Sequence, residues 1–373
     1  MARVKLGDVA REYKSTVRDA EGLPSVGLEH LTPGEITLEQ WNENAENTFT
    51  KEFKKGQMLF GRRRAYQKKA ALAPFDGVCS GDITVIEAVP GKLLPELLPF
   101  VIQNDALFDY AVGQSAGSLS PRVKWESLKN YEFELPELKK QVAMAELLKA
   151  AYQTKIAYQK LIKATDDLVK SQFIERFEGH GYETAKAKSF MSNMRNGVSP
   201  SKKGSYAEKV LTLSAVTQGS FDPNAWKDGI FDECPPPDKR IHTSEFYMCR
   251  GNGNKTLVGT AVYALEERND LVFPDTVIAA HIDSSVVLMP YLFVAWKMPK
   301  VREQIESSAR TTNGTYKINQ AVLSDVELIV PPIDKQAEFV YFVEQSDKSK
   351  FELTQSIVRI DNMIKSLMQE HIL

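Results

Sequence analysis

The side chains best suited to chemistry lie in a basic stretch in the first half of the chain. Between residues 51 and 69, eight Lys and Arg residues accompany a single acid, Glu52. Apolar flanks around Gly61 predict a hairpin with a cationic tip. Guanidinium groups can bind guanine edges and phosphates, and a tyrosine can stack on a base or pack on a sugar. The alternative to a DNA-binding hairpin is a solvated turn whose charges promote solubility. The predicted DNA-binding residues here are Lys54, Lys55, Arg62, Arg63, Arg64, Tyr66, Lys68 and Lys69.

Chemically similar segments recur along the chain. Residues 116–125 and 309–320 each combine hydroxyl side chains, a glycine and basic residues just before a predicted last strand, and CRGNGNKT is a glycine-rich polar turn. Residues 185–204 contain five basic residues and no acid. Such groups can hold phosphates, although Asn and Gly are also ordinary turn residues. The further predicted DNA-binding residues are Ser118, Arg122, Lys124, Lys202, Lys203, Arg250, Asn252, Asn254, Lys255, Arg310, Thr311, Asn313 and Lys317.

The sequence lacks the familiar signatures of catalysis. CRGNGNKT has Asn254 where a phosphate-binding P-loop needs a glycine immediately before the lysine. There is no G-x-S-x-G elbow, no H-E-x-x-H helix and no adenine-methyltransferase motif. We therefore predict a non-catalytic chain that binds no cofactor or metal of its own.

Composition narrows the class of protein further. A chain of 373 residues is too long for one small core, so two domains are expected. A net charge of -2 means that nucleic-acid binding would depend on local patches. Three cysteines without C-x-x-C spacing and an N-terminus without a signal-peptide core indicate a reducing, cytoplasmic compartment. The most apolar window, residues 271–296, is interpreted as buried strands and not as a membrane helix.

The elements that would position the candidate side chains occur twice. LPELKKQ at residues 135–141 recurs as VPPIDKQ at residues 330–336, and the same offset of 195 residues relates Asp166 to Asp361. Residues 81–88 match residues 274–281 at an offset of 193. Ordered matches at nearly one offset predict two copies of one unit, each a β-rich body followed by a long helix.

Both helices are predicted to begin after a proline join, with Glu137 and Asp334 in the first turn, where the helix dipole favours carboxylates. The first could run for about 40 residues, or roughly 60 Å. Because an exposed helix of that length has little stability, we predict that the two helices form an antiparallel coiled coil. The alternative is that each helix packs only on its own β body. The predicted seam residues are Ile162, Val169, Leu353, Ile357, Ile360, Ile364 and Leu367.

Together these motifs resemble the specificity subunit of type I restriction-modification systems. The matching segments are VKLGDVARE near the start, ELPELKKQ with its repeat IVPPIDKQ, DDLVKSQFIERF with its repeat DNMIKSLMQEHI, and FKKGQMLFGRRR. The resemblance implies an α+β chain with an internal pseudo-two-fold repeat. Its parts would be target-recognition domains at residues 1–136 and 179–331, a central spacer helix at residues 137–178 and a C-terminal spacer helix at residues 332–373.

The resemblance also implies a function and partners. Each target-recognition domain would recognise one half of a bipartite, asymmetric site in double-stranded DNA. The helices would dock two methyltransferase subunits, which bind S-adenosylmethionine and methylate adenine, and motor-nuclease subunits would join for cleavage. Two other classes stay open: a coiled-coil scaffold whose β-rich modules bind protein or glycan, and an enzyme whose active site carries no familiar motif.

Overall fold

The chain is a mixed α+β protein, which confirms the α+β part of the predicted fold class. The computed structural model describes residues 2–43, 48–201, 203–312 and 314–372. Two compact units can be distinguished: unit 1 comprises Met1–Lys160 with Leu353–Leu373, and unit 2 comprises Leu161–Glu352.

Unit 1 combines short strands with the first part of a long helix. Its strands are β1 (Ala2–Lys5), β2 (Ala10–Glu12), β3 (Ser25–Val26), β4 (Lys51–Phe53), β5 (Met58–Gly61), β6 (Ala70–Leu72), β7 (Gly77–Cys79), β8 (Ile83–Ala88) and β9 (Glu132–Leu135). Its helices are α1 (Leu6–Val9), α2 (Leu98–Ile102), α3 (Asp105–Gly113), α4 (Trp125–Leu128) and the first part of α5 (Leu138–Phe177).

The main sheet of unit 1 has the strand order β2-β8-β5-β6, with antiparallel neighbours. Strand β8, ITVIEA, is rich in β-branched residues, which favour strands, and its Ile83, Val85 and Ile86 are buried. A second sheet has the order β3-β7-β4, in which β3 and β7 are parallel, and β1 pairs with β9. The main sheet packs against α2, α3 and the start of α5 to form one apolar core.

Unit 2 contains more strands and the first part of the C-terminal helix. Its strands are β10 (Thr184–Lys186), β11 (Met191–Asn196), β12 (Tyr206–Leu211), β13 (Trp226–Phe231), β14 (Arg240–Ile241), β15 (Glu245–Cys249), β16 (Gly251–Asn252), β17 (Ala261–Tyr263), β18 (Arg268–Val272), β19 (Val277–Ile282), β20 (Arg310–Thr312), β21 (Thr315–Lys317) and β22 (Glu327–Ile329). Its helices are the last part of α5, α6 (Ser214–Thr217), α7 (Met289–Ala295), α8 (Pro299–Ser308), α9 (Gln320–Ser324) and the first part of α10 (Ile333–Ile372). The last part of α10 belongs to unit 1.

The main sheet of unit 2 has the order β11-β19-β15-β17. The strand that comes first in the chain lies at one edge, the last strand lies next to it, and the second and third follow, which is also the order in the main sheet of unit 1. A second sheet has the order β13-β12-β18-β14, with β12 and β18 parallel, and β10 pairs with β22. The small sheet β16-β21-β20 completes the unit.

The interpretation of residues 271–296 as buried strands is wrong in its second half. Strand β19 is buried except for His281, but residues 289–295 form the helix α7. Pro290 lies at the start of that helix, where proline costs no hydrogen bond and its fixed φ angle suits a helix.

A buried glutamine fixes the start of α5. The Gln141 side chain is 1% exposed. Its Nε2 donates to the carbonyl oxygens of Pro136 at 2.9 Å and Lys92 at 3.1 Å, and its Oε1 accepts from the backbone N–H of Leu94 at 3.0 Å. The amide therefore ties the first turn of the helix to the end of β9 and to the segment after β8.

Gln336 makes the same three types of hydrogen bond at the start of α10. Its Nε2 donates to the carbonyl oxygens of Pro331 at 2.8 Å and Val286 at 2.9 Å, and its Oε1 accepts from the N–H of Leu288 at 2.9 Å. The recurrent Gln in the two joins is therefore a buried structural clamp in each unit.

The prediction of a carboxylate in the first turn is wrong for the first helix. Helix α5 begins at Leu138 and has no acid in its first turn, whereas Asp334 lies in the first turn of α10. The carbonyl of Glu137 accepts hydrogen bonds from the amides of Lys140 and Gln141 at 2.8 and 3.0 Å. Glu137 is thus the residue that flanks the helix, since a capping residue accepts the first helical bonds without being helical itself.

Within unit 1, a nearly buried lysine links α5 to α10. Lys155 Nζ lies 3.1 Å from Asp361 Oδ1 and 3.2 Å from Glu35 Oε1. Burial alone would lower the pKa of Lys155, but the hydrogen bond to Asp361 and the two carboxylate charges raise it above its ordinary value. Met368 and Ile372, near the end of α10, are buried in the same core.

Within unit 2, the same two helices make a comparable contact. Lys350 Nζ lies 2.7 Å from Asp166 Oδ1. Elsewhere in the unit, the rings of Phe173 and Phe177 lie 5.8 and 5.4 Å from the ring of Phe339. Of the predicted seam residues, Val169 is buried, and the others are partly buried: Ile162, Leu353, Ile357, Ile360, Ile364 and Leu367.

Candidate nucleic-acid interface

Two predicted DNA-binding segments of unit 1 meet in one place. We call residues 62–69, between β5 and β6, the first tip loop, and residues 116–124 the first flanking segment. Arg63 and Arg122 form an antiparallel bridge, the N–H of Arg64 donates to Pro121 O at 2.8 Å, and the N–H of Val123 donates to Arg62 O at 3.0 Å. Because these bonds are all between backbone groups, they join the two segments without engaging a side chain.

Asp82, just before β8, binds the arginines of this junction. Its carboxylate accepts from Arg122 Nε at 2.6 Å and Nη2 at 3.2 Å, and from Arg63 Nη1 at 3.4 Å. Arg63 Nε also donates to Ser120 Oγ at 2.5 Å. The Arg122 hydrogen bond lowers the pKa of Asp82 below its ordinary value, with further contributions from the charges of Arg122, Arg63 and Arg62.

The rest of the first tip loop is held in an unusual backbone conformation. Arg64 and Lys68 flank a 3₁₀ turn over Ala65–Gln67, and both have left-handed φ angles, of 55° and 52°. Such angles are uncommon for residues with a side chain. Ala65 is buried beneath the turn, whereas Arg64 is exposed and Tyr66 is 56% exposed. The loop therefore presents a guanidinium and a phenol to solvent.

Other predicted residues of unit 1 are partly occupied by contacts within the protein. Lys54 Nζ lies 2.7 Å from Glu52 Oε1, Lys68 Nζ lies 2.6 Å from Asp105 Oδ1, and Lys69 Nζ donates to Leu28 O at 2.7 Å. The exposed residues, besides Arg64 and Tyr66, are Lys55, Ser118 and Lys124.

In unit 2, two predicted segments are also joined. We call residues 250–255 the second tip loop, and residues 310–312 and 315–317, which form β20 and β21, the second flanking segment. Gly251 pairs with Lys317, and the N–H of Ile318 donates to Arg250 O at 2.9 Å. The N–H of Arg250 donates to Thr276 O at 2.8 Å, as the N–H of Arg62 donates to Asp82 O at 2.9 Å in unit 1. Arg250, Gly251 and Thr276 are thus the counterparts of Arg62, Arg63 and Asp82.

The asparagine side chains of the second tip loop accept hydrogen bonds from backbone N–H groups of the same turn. Asn252 Oδ1 accepts from the N–H of Asn254 at 2.9 Å, and Asn254 Oδ1 accepts from the N–H of Thr256 at 3.1 Å. Arg250 Nη1 donates to Asp275 O at 3.1 Å. Lys255, Arg310, Thr311 and Lys317 are exposed.

Three predicted residues are not brought to this surface by the described contacts. Lys202 and Asn313 lie outside the described residues. Lys203 is exposed and precedes β12 in the other sheet, and its backbone N–H bonds Ser201 Oγ at 3.2 Å.

Sequence reasoning missed Asp82 as part of the site. An acid 18 residues beyond Arg64 in the chain gives no local sign that it will bind Arg63 and Arg122. The signal that could have found it is its place at the start of β8, next to the strand β5 that leads into the tip loop.

The part of the chain that the structure describes has no helix long and apolar enough to cross a membrane. Nor do the described residues gather three or more His, Cys, Asp or Glu side chains that could hold a metal ion.

Solved structures define the class of protein to which this fold is similar. The type I restriction-modification S subunit from M. genitalium has 12% sequence identity and a TM-score of 0.52, covering 98% of this chain and 95% of that one. A chain from a structure of a type I restriction-modification system has 16% identity and a TM-score of 0.54, covering 99% and 97%. At these identities the likeness establishes the fold.

Sequence comparison finds similarity to the same class of protein. Residues 2–165 match the model of the type I restriction modification DNA specificity domain. The EcoKI specificity subunit of Escherichia coli (strain K12) is 27% identical over 191 residues, 48% of this chain and 40% of that protein. The StySPI specificity subunit of Salmonella potsdam is 23% identical over 132 residues, 34% of this chain and 28% of that protein. The family match covers less than half of this chain. The resemblance to type I specificity subunits is confirmed, and the match spans less than half the length of either curated relative.

Proposed function

We propose that the chain is the DNA-specificity subunit of a type I restriction-modification complex, and that each unit recognises one half of a bipartite, asymmetric site. The observation that carries the proposal is the shared design of the two tip loops. In each unit, a tip loop and a flanking segment are joined by the same backbone bonds and expose cationic side chains. Backbone bonds fix the position of the loop, so different side chains can recognise different bases.

We further propose that the chain is an internal duplication. Residues 1–136 and 179–331 would be the target-recognition domains, and residues 137–178 and 332–373 would be spacer helices that pair as an antiparallel coiled coil. The common strand order of the two main sheets and the two glutamine clamps support this proposal.

A reciprocal pair of ion pairs supports the antiparallel, pseudo-two-fold arrangement. Lys155 contacts Asp361 in unit 1, and Lys350 contacts Asp166 in unit 2. The two lysines are 195 residues apart, and so are the two aspartates. In a two-fold arrangement, a contact between one residue and a second recurs between their counterparts with the roles exchanged.

The long helices are the proposed docking site for two methyltransferase subunits. Apolar residues that would be costly to leave in water are exposed on them: Val142, Leu147, Leu161, Leu168, Ile174, Tyr341, Phe351 and Val358. The partner subunits would bind S-adenosylmethionine and methylate adenine, and motor-nuclease subunits would join for cleavage. This chain would bind no cofactor, catalyse no reaction and act in the cytoplasm.

Co-expression with the methyltransferase encoded nearest to this reading frame tests the proposal. Sequencing of modified bases in the host chromosome is expected to find methyladenine in a bipartite motif with two unequal halves. Without this chain, the motif is expected to be unmodified. Binding of the purified complex to that motif should weaken by about 10³- to 10⁵-fold between about 50 and 200 mM salt, if roughly 6–10 phosphates are neutralised.

Two outcomes would overturn the proposal. No methylated motif, together with duplex binding that is insensitive to salt, would favour a coiled-coil scaffold whose modules bind protein or glycan. Methylation or nicking of DNA by the purified chain alone would show that it is an enzyme.

A further inference from the structure

The arginines of the first tip loop and its flanking segment have different surroundings. The guanidinium of Arg122 is bound in a forked contact by Asp82, and that of Arg63 is shared between Asp82 and Ser120. Arg62 is partly buried. Arg64 is exposed, and in the described residues its only hydrogen bonds are those of its backbone. Its five N–H donors are thus available to a ligand.

The backbone around Arg64 is built to hold this side chain outward from the body of the unit. The φ angle of 55° is one that residues with a side chain rarely adopt, and glycine would adopt it more readily. The conformation is maintained by the bond from the Arg64 N–H to Pro121 O at 2.8 Å and by the burial of the neighbouring Ala65. An arginine therefore occupies a position where the backbone alone would favour glycine.

We propose that Arg64 is the side chain with which unit 1 recognises a guanine, and that Asp82 is the positioning residue that keeps Arg63 and Arg122 from competing with it. The inference rests on the proposed function and extends it to one base pair of one half-site. A free guanidinium makes a forked pair of hydrogen bonds with O6 and N7 of guanine in the major groove, which is the commonest specific contact between a side chain and a base. Arg63 and Arg122, both held by Asp82, would shape the loop, and the carboxylate would offset one of their two positive charges and so weaken their attraction for phosphates.

The test uses the full chain in complex with its methyltransferase subunits. The wild-type motif is first defined by sequencing of modified bases, and binding is then measured on duplexes in which each base pair of the half-site is changed in turn. Arg64→Gly, which suits the backbone angle, and Arg64→Lys, which keeps the charge but not the fork, are expected to lose about 5- to 150-fold discrimination at one G·C pair. Discrimination at the other positions and in the other half-site should be unchanged. Arg3→Ala, an exposed arginine on β1, is the matched control.

Asp82→Asn tests the positioning role with a readout that a purely structural role would not move. The substitution should free up to two guanidinium groups. In a plot of the logarithm of the non-specific binding constant against the logarithm of salt concentration, the slope should then become more negative by about 0.9 for each cation that reaches a phosphate. In the double variant Asp82→Asn with Arg122→Gln, part of this increase should disappear.

The failure of this inference can be distinguished from the failure of the proposed function. If wild type recognises no bipartite motif, the proposed function fails. If wild type recognises one, but both Arg64 variants keep wild-type discrimination at every base pair, the guanine assignment is wrong. An Asp82→Asn complex with an unchanged salt dependence would show that Asp82 does not restrain the two arginines.

Discussion

The two tip loops have the same backbone frame and different side-chain chemistry. In unit 1 the frame carries Arg62, Arg63 and Arg64 and is supported by the acid Asp82. In unit 2 the corresponding positions carry Arg250, Gly251 and Asn252. The acid is replaced there by Thr276, which cannot neutralise a guanidinium.

This difference shows which parts of the molecule are free to vary. Bonds between backbone groups place each loop and tolerate almost any side chain except proline. The side chains then determine whether the loop is rich in guanidinium groups or, as in the second tip loop, rich in asparagines whose side-chain oxygens accept from backbone N–H groups of the same turn. Two similar bodies can thus present unlike surfaces without a change of fold.

The largest expected effect tests whether the two helix joins are equivalent. Gln141→Leu and Gln336→Leu each leave one N–H and two carbonyl groups without their partner. At about 1–3 kcal/mol for each buried group left unsatisfied, each variant should lose roughly 3–9 kcal/mol of unfolding free energy. Urea unfolding measures the loss. The exposed Gln153→Leu and Gln345→Leu are the matched controls and should change stability by less than about 0.5 kcal/mol.

A smaller effect separates the two tip loops by function. We expect weaker specific binding from the triple variant Arg62→Ala, Arg63→Ala, Arg64→Ala. The salt dependence of its binding constant, taken as the slope of log K against log salt concentration, should fall in magnitude by about one for each phosphate that is no longer neutralised. The triple variant Lys255→Ala, Arg310→Ala, Lys317→Ala should do the same in unit 2. Each is expected to relax discrimination in its own half of the motif only, as measured on duplexes altered in one half. Loss of discrimination in both halves from either triple variant would contradict independent recognition.

The reciprocal lysines should give a lesser effect on stability. Lys155→Met and Lys350→Met each remove one partner of an ion pair whose aspartate is partly exposed, so we expect losses of about 1–2 kcal/mol, below the loss for a fully buried pair. Double-mutant cycles with Asp361→Asn and Asp166→Asn measure the two coupling energies. Equal coupling energies would support the proposed two-fold symmetry, whereas coupling in only one unit would contradict it.

The smallest expected effect is that of pH. The hydrogen bond and charge of Arg122 lower the pKa of Asp82 in the folded protein. The charged carboxylate therefore stabilises the folded tip loop above the ordinary carboxyl pKa of about 3.9, and this stabilisation is lost as pH falls through the lower pKa of the folded state. Discrimination in the first half-site should therefore be constant between about pH 8 and 5. A midpoint inside that range, absent in Asp82→Asn, would show that the carboxylate is not held by the arginines.

Much of the fold follows from patterns that are local in the chain. The repeat of Pro136 and Gln141 at Pro331 and Gln336 marked two equivalent joins, although it did not reveal that the glutamine amides are buried clamps. The coiled-coil seam stays a prediction from spacing; of its residues Val169 is buried and the others are partly buried. Met368 and Ile372 were not predicted to be buried, because their burial depends on the core of unit 1 and not on the spacing of the helix.

The candidate site depends on contacts that are distant in the chain. The basic residues are visible in the sequence, but the junction of residues 62–69 with residues 116–124 depends on backbone pairing between Arg63 and Arg122, which are far apart in the chain. Sheet register also corrects the repeat: Ile83 pairs with Gly61 and Val277 pairs with Cys249, which is an offset of 194 and not the 193 suggested by the matching letters. A one-residue error of this kind hides the correspondence of Asp82 with Thr276.

The glutamine clamps have a consequence for how such a chain can change over generations. The hydrogen-bond partners of the Gln141 side chain run from Lys92 to Pro136, and those of the Gln336 side chain run from Val286 to Pro331. A recombination breakpoint placed just after either glutamine would therefore transfer a β body together with the complete set of bonds that seats its helix. A gene of this design can acquire a new half without having to evolve a new joint.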